Sequence, residues 1–126
     1  MSELFDRFVD TTLPADQFHH PQHVEVAWRF VTKYGMPAAL AEFTAAIKRF
    51  ADAKGAHGLY HETITWAFLL LIAEREAKHP RGDWAAFAAA NPDLLVWKPS
   101  ILERYYSKEL LASELARRTF LMPDLL

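Results

Sequence analysis

No cysteine occurs anywhere in the 126-residue chain, which removes disulfides, thiolate nucleophiles and zinc–thiolate sites together. That absence fits a reducing compartment, and the cytoplasm is the default expectation. Charge of one sign is not in excess either: 14 basic residues stand against 16 acidic ones, a formal net charge of -2. Nothing in that balance attracts nucleic acid or an anionic membrane, so neither is expected as a partner. Long apolar runs are missing too. The longest lies within Ile64 to Ala73 and is about half of the ~20 residues that a bilayer-spanning helix needs. The opening Met1-Ser2-Glu3-Leu4-Phe5-Asp6-Arg7 alternates charged with apolar residues and lacks the basic start and apolar stretch of a secretory signal. There is no glycine-rich phosphate loop, no internal repeat and no sustained alternation of the strand type. No Gly-x-Ser-x-Gly elbow surrounds Thr44, Thr63, Ser100 or Ser107, so nucleophilic catalysis is not indicated.

What is present is the material for one core. Apolar types make up 52% of the chain and charged ones 24%, which suits a single domain able to fold alone. Pro21 fits a first helical position and Tyr34-Gly35 a stop, predicting a helix over 21–34. Pro37 opens a second, with Leu40, Phe43, Ile47 and Phe50 at three- and four-residue steps until Lys54-Gly55. Leu59 to Lys78 is apolar on nearly every side, the pattern of a central helix. Asp83 caps a short alanine-rich helix that Asn91-Pro92 stops; Pro99 or Ser100 starts another through Tyr106, and Ser107 a last one ending near Arg118. The expectation is an all-α fold, a single compact bundle of six or seven helices.

Chemistry concentrates where polar residues meet that apolar pattern. Tyr60-His61-Glu62-Thr63-Ile64-Thr65 opens the central segment, and at 100° per residue His61 shares a stripe with Ile64, Phe68 and Leu71, one turn below Thr65. Glu62 then faces the Trp66 and Leu69 side. His19, His20 and His23 bracket the start of the 21–34 helix, with His23 in line with Ala27, Phe30 and Tyr34. If the two helix starts pack side by side, His20, His23, His57 and His61 converge. A buried polar group needs a partner, and neutral imidazoles ligate zinc, iron, copper and nickel. His20, His23 and His61 are thus candidate ligands of a divalent transition metal. Protonated histidines at helix N-termini would equally suit an anion. His61 and Glu62 are the candidate catalytic pair, as general base or proton shuttle. Tyr60, Thr65 and Trp28 are candidate ligand-binding residues. Each histidine also has a plainer explanation, because one buried imidazole is more often hydrogen-bonded to a carbonyl than metal-bound; His19 reads as a solvated flank and His57 as a surface residue.

Weaker signals complete the pattern. Glu76-Ala77-Lys78-His79 has the Glu-x-x-His spacing of di-iron bundles, but that fold needs two such pairs and two more glutamates. Trp28, Phe43, Phe50, Trp66, Phe68 and Phe87 fall on apolar stripes and need only be core.

His20-Pro21-Gln22-His23-Val24 with Trp28, Tyr60-His61-Glu62-Thr63-Ile64-Thr65, and Tyr105-Tyr106-Ser107 with Ala116-Arg117 and Pro123-Asp124 together resemble a family of small, uncharacterised bacterial helical proteins. The resemblance runs over most of the chain and implies stand-alone proteins of about this length, with no activity attached. The leading expectation is therefore a histidine-centred pocket for a metal ion or small molecule. Its rival is a noncatalytic module, with core histidines, whose aromatics near Tyr105 or in Phe120-Leu121-Met122-Pro123 engage a partner or form a homodimer.

Overall fold

The computed structural model describes residues 2–125, apart from the side chain of His57. Among these residues seven α-helices follow one another: α1 (Glu3–Val9), α2 (His20–Tyr34), α3 (Ala38–Ala53), α4 (Glu62–Lys78), α5 (Trp84–Ala90), α6 (Lys108–Ala112) and α7 (Glu114–Arg118). Short 3-10 turns connect them, and no strand occurs among the described residues. The fold is all-helical, as the periodicity implies.

Local chemistry sets most of the boundaries. The N–H of His19 donates to the Gln22 side chain at 2.9 Å as α2 begins, and Gly35, at φ 69°, ends it in the backbone region that glycine enters without strain. Asp83 caps α5 by accepting from Ala86 N–H at 2.8 Å. Three boundaries differ from the sequence pattern. α4 begins at Glu62 rather than Leu59, because His61 caps it from outside the helix. Only Ile101–Arg104 coils after Pro99, as a 3-10 turn capped by Ser100. The last helix is two: Ser113 ends α6 and its hydroxyl accepts from Ala116 N–H to start α7, since a serine that bonds the backbone locally competes with helix continuation.

α4 is the central element, contacted by α2, α3, α7 and the Ile101–Arg104 turn. Leu69, Ile72 and Thr63 on it are fully buried. Against the α1–α3 side lies a cluster of phenylalanines built around Phe8, whose ring centroid lies 4.9 Å from that of Phe18, 5.1 Å from Phe50 and 6.3 Å from Phe43. Such separations are those of favourable ring pairs. On the opposite side, Arg75 of α4 bonds both carboxylate oxygens of Asp93, at 3.0 and 2.9 Å, and the Asn91 side chain at 2.9 Å. That pairing holds the Asp93 carboxyl below the usual range and fixes the α5–α6 connection to α4. No described helix is long and apolar enough to cross a membrane.

The C-terminal segment has little freedom. Thr63 Oγ1 donates to Thr119 C=O at 2.8 Å and accepts from Leu121 N–H at 3.1 Å, and Tyr106 donates to Leu121 C=O at 2.8 Å. Phe120 stacks on Trp66 at 5.1 Å. Of the Phe120–Pro123 stretch that the sequence offers to a partner, Phe120 is thus already engaged within the chain, while Met122 remains 74% exposed.

A candidate ligand cavity between α2, α3 and α4

His20 and His23 open α2, and the Tyr60–Thr65 segment opens α4, so packing α2 against α4 brings both helix starts together. Between them and α3 lies a cavity of about 600 Å³. His20, His23, Tyr60, His61 and Thr65 all line it. Most of the remaining wall is carbon, including Phe18 and Val24, Phe43, Ile47 and Phe50 of α3, and Ile64, Phe68 and Ile72 of α4. Leu59, 79% exposed, Trp97, 44% exposed, and the exposed Ala15 also line it, so the cavity reaches solvent at the 55–60 loop and beside Trp97 and Ala15.

The three histidines do three different things. His61 is spent on structure: its Nδ1 accepts from Ile64 N–H at 3.1 Å, and its Nε2 lies 2.8 Å from the Leu111 carbonyl. An accepting Nδ1 requires the hydrogen on Nε2, which donates to Leu111. His61 therefore ties α4 to α6 and has no nitrogen left for a metal or for proton transfer. The stripe drawn from His61 through Ile64 and Phe68 fails for the same reason, since a cap residue has extended backbone and its ring folds back over the first turn. His20 is half spent: Nε2–H donates to Leu94 C=O at 2.9 Å and Nδ1 stays available as an acceptor. Burial lowers its pKa, against the pull of the Leu94 bond.

His23 is the exception. Its ring stacks on Phe18 at 3.9 Å, and among the described residues neither ring nitrogen has a hydrogen-bond partner. Burial, with His20 and His19 nearby, pushes its pKa down to about 4. At neutral pH it therefore presents one N–H donor and one acceptor, uncharged, and supplies no imidazolium for an anion.

The residues around Tyr60 form a second polar group. Tyr60 donates a hydrogen bond to Glu62 Oε1, and Lys48 Nζ lies 4.0 Å from the same oxygen. Burial and the Glu62 carboxylate raise the Tyr60 pKa, so the phenol stays protonated. Glu62 does not line the cavity, and it faces Tyr60 and Lys48 rather than the Trp66 side. With His61 bonded to Ile64 and Leu111 and Glu62 to Tyr60, the two candidate catalytic groups make no hydrogen bond to each other among the described residues. Nor do His20, His23 and His61 make a metal site: among the described residues no three His, Asp or Glu side chains converge as a metal would require.

Trp28 stands apart. Its Nε1–H donates to Glu76 at 2.9 Å and its ring packs on Trp84 and Phe87, which places it away from the cavity. The same bond, with Arg81 N–H on the other carboxylate oxygen at 3.0 Å, occupies Glu76, and His79 is exposed. The expectation for His57 falls on a side chain outside the described part of the structure.

Sequence reasoning missed Phe18, Lys54, Trp97 and the role of Arg117, all of which line the cavity. Arg117 Nη1 donates to the carbonyls of Tyr60 at 3.2 Å and Gly58 at 3.3 Å. Nothing local separates Arg117 from its exposed neighbour Arg118; only the docking of α7 on α4 does. No family model, curated protein or solved structure matches the chain.

Proposed function

We propose that this protein binds a small, largely apolar molecule in the cavity between α2, α3 and α4, with His23 as its hydrogen-bonding anchor. The observation that carries this reading is His23 itself, an imidazole in the wall of an apolar cavity with both ring nitrogens unpartnered among the described residues. His23 is half-buried in that wall, and a ligand with one donor or acceptor supplies the hydrogen bond that the protein does not, worth about 0.5–1.5 kcal/mol. The volume of about 600 Å³ lies within the range of small-molecule sites, about 300–1,000 Å³. Few polar groups in a carbon wall are also what such sites use to orient an occupant. Binding rather than catalysis is assigned because the other candidate groups are already committed: His61 to Ile64 and Leu111, Glu62 to Tyr60.

The test is a fluorescence titration with N-phenyl-1-naphthylamine, an uncharged apolar probe that carries one N–H. Wild-type protein is expected to bind it saturably, one per chain. Ala51→Phe, which puts a ring into the cavity from the half-buried face of α3, abolishes binding. His23→Phe weakens it roughly 2- to 10-fold, the worth of one hydrogen bond. Absence of saturable binding, or binding indifferent to Ala51→Phe in a folded variant, refutes the reading.

A further inference from the structure

The ionisable groups in the cavity wall are unbalanced. In a chain whose net charge is -2, the wall holds Lys54 and Arg117 and, among the described residues, no Asp or Glu. Both cations are half-buried, and among the described residues neither has a carboxylate partner: Lys54 Nζ bonds Thr11 C=O at 3.0 Å and lies 5.4 Å from the centre of the Phe50 ring, and Arg117 Nη1 bonds Gly58 and Tyr60 C=O. Carbonyls satisfy N–H donors but do not neutralise a charge. The ion pair beside them, Lys48 with Glu62, involves neither. Both residues sit at helix C-termini, where the backbone dipole compensates a cation only in part. A half-buried charge without a counterion is costly, and one supplied from outside relieves that cost.

The unspent donors have a defined shape. Among the described residues, the Nη2 and Nε hydrogens of Arg117 have no partner, and this edge of a guanidinium takes a carboxylate through two parallel hydrogen bonds. Lys54 retains two of its three ammonium hydrogens. Lys54 ends α3, next in the chain to the 55–60 loop, with its Nζ turned to Thr11 and the Phe50 ring, and Arg117 grips the carbonyls on either side of Leu59 in that loop. The phenylalanine wall lies beyond it.

We infer that the ligand is an amphipathic carboxylate, its apolar body inside the cavity and its carboxylate between Lys54 and Arg117. This rests on the cavity being a ligand site, as proposed above, and names the chemical class of its occupant. His23 then serves a polar atom carried deeper on the body, and a plain alkyl carboxylate is held by the apolar wall together with Lys54 and Arg117.

The experiment compares octanoate with octanol, the same chain without the charge, by displacement of N-phenyl-1-naphthylamine from intact protein. Octanoate is expected to bind at least tenfold more tightly than octanol, and raising salt from 0.05 to about 0.5 M erodes part of the octanoate advantage and none of the octanol affinity, because a half-buried charge pair is screened, though less than an exposed one. A Lys54→Gln, Arg117→Gln double variant brings octanoate down to the octanol level. Equal affinities in the wild type, or a preference indifferent to salt, overturn the carboxylate assignment while the apolar site stands. Both measurements need only wild-type protein, so a variant that fails to fold does not rescue the idea. If the naphthylamine probe itself does not bind, the cavity reading fails first.

Discussion

Replacing His61 separates a structural imidazole from a functional one. His61→Ala removes the acceptor for Ile64 N–H, an N-cap loss of about 1 kcal/mol. It also strips the Leu111 carbonyl of its 2.8 Å partner, and a half-buried carbonyl left unbonded costs about 1–2 kcal/mol more. The sum, about 2–3 kcal/mol, lowers the melting temperature by roughly 6–12 °C in a domain of this length. Urea unfolding followed by circular dichroism reads it directly, with an unchanged slope showing that the same surface is exposed in both proteins. His61→Asn is the internal control: asparagine accepts from the first-turn N–H as a good cap but is too short to reach Leu111, so it recovers about 1 kcal/mol of the loss. Stability of His61→Ala within about 0.5 kcal/mol of wild type, the range of an inert surface change, refutes the double role. So does an asparagine variant no better than alanine.

The pH response of His23 runs with a definite sign. With its pKa lowered from 6.5 to about 4 in the folded state, the unfolded chain binds a proton that the folded protein refuses; stability is at its full value above pH 6.5 and falls as pH drops toward 4. The loss approaches about 3 kcal/mol from this group, and His23→Phe removes it, so wild type and variant diverge in urea midpoints between pH 6.5 and 4; parallel curves contradict the burial of a neutral ring. Thr63→Val keeps shape but deprives Thr119 C=O and Leu121 N–H of their common partner. It costs about 2 kcal/mol and loosens the segment beyond α7, seen as faster tryptic cleavage after Arg118; unchanged cleavage means that Tyr106 and Phe120 alone hold the segment.

The helical class, the order of the helices and the inward side of α3 are written locally, in 3.6-residue periodicity, proline and glycine punctuation and capping residues such as Asp83. The clustering of His20, His23, Tyr60, His61 and Thr65 is half local: polar residues at two helix starts can be read off the chain, but their meeting depends on α2 lying against α4. Local information failed where a side chain chooses between neighbours. His61 reads as a helical-face residue because sequence spacing cannot tell a cap from the first turn; the choice was made by a carbonyl 50 residues away, on Leu111. Trp28 has the same aromatic character as the cavity rings, yet Glu76 holds it elsewhere. Arg117 and Arg118 are chemically identical neighbours, and only the packing of α7 turns one toward the cavity and leaves the other in solvent. Secondary structure is decided by interactions within a few residues, whereas the partner of a polar group, and with it whether that group is spent or available, is decided by what tertiary packing brings within 3 Å.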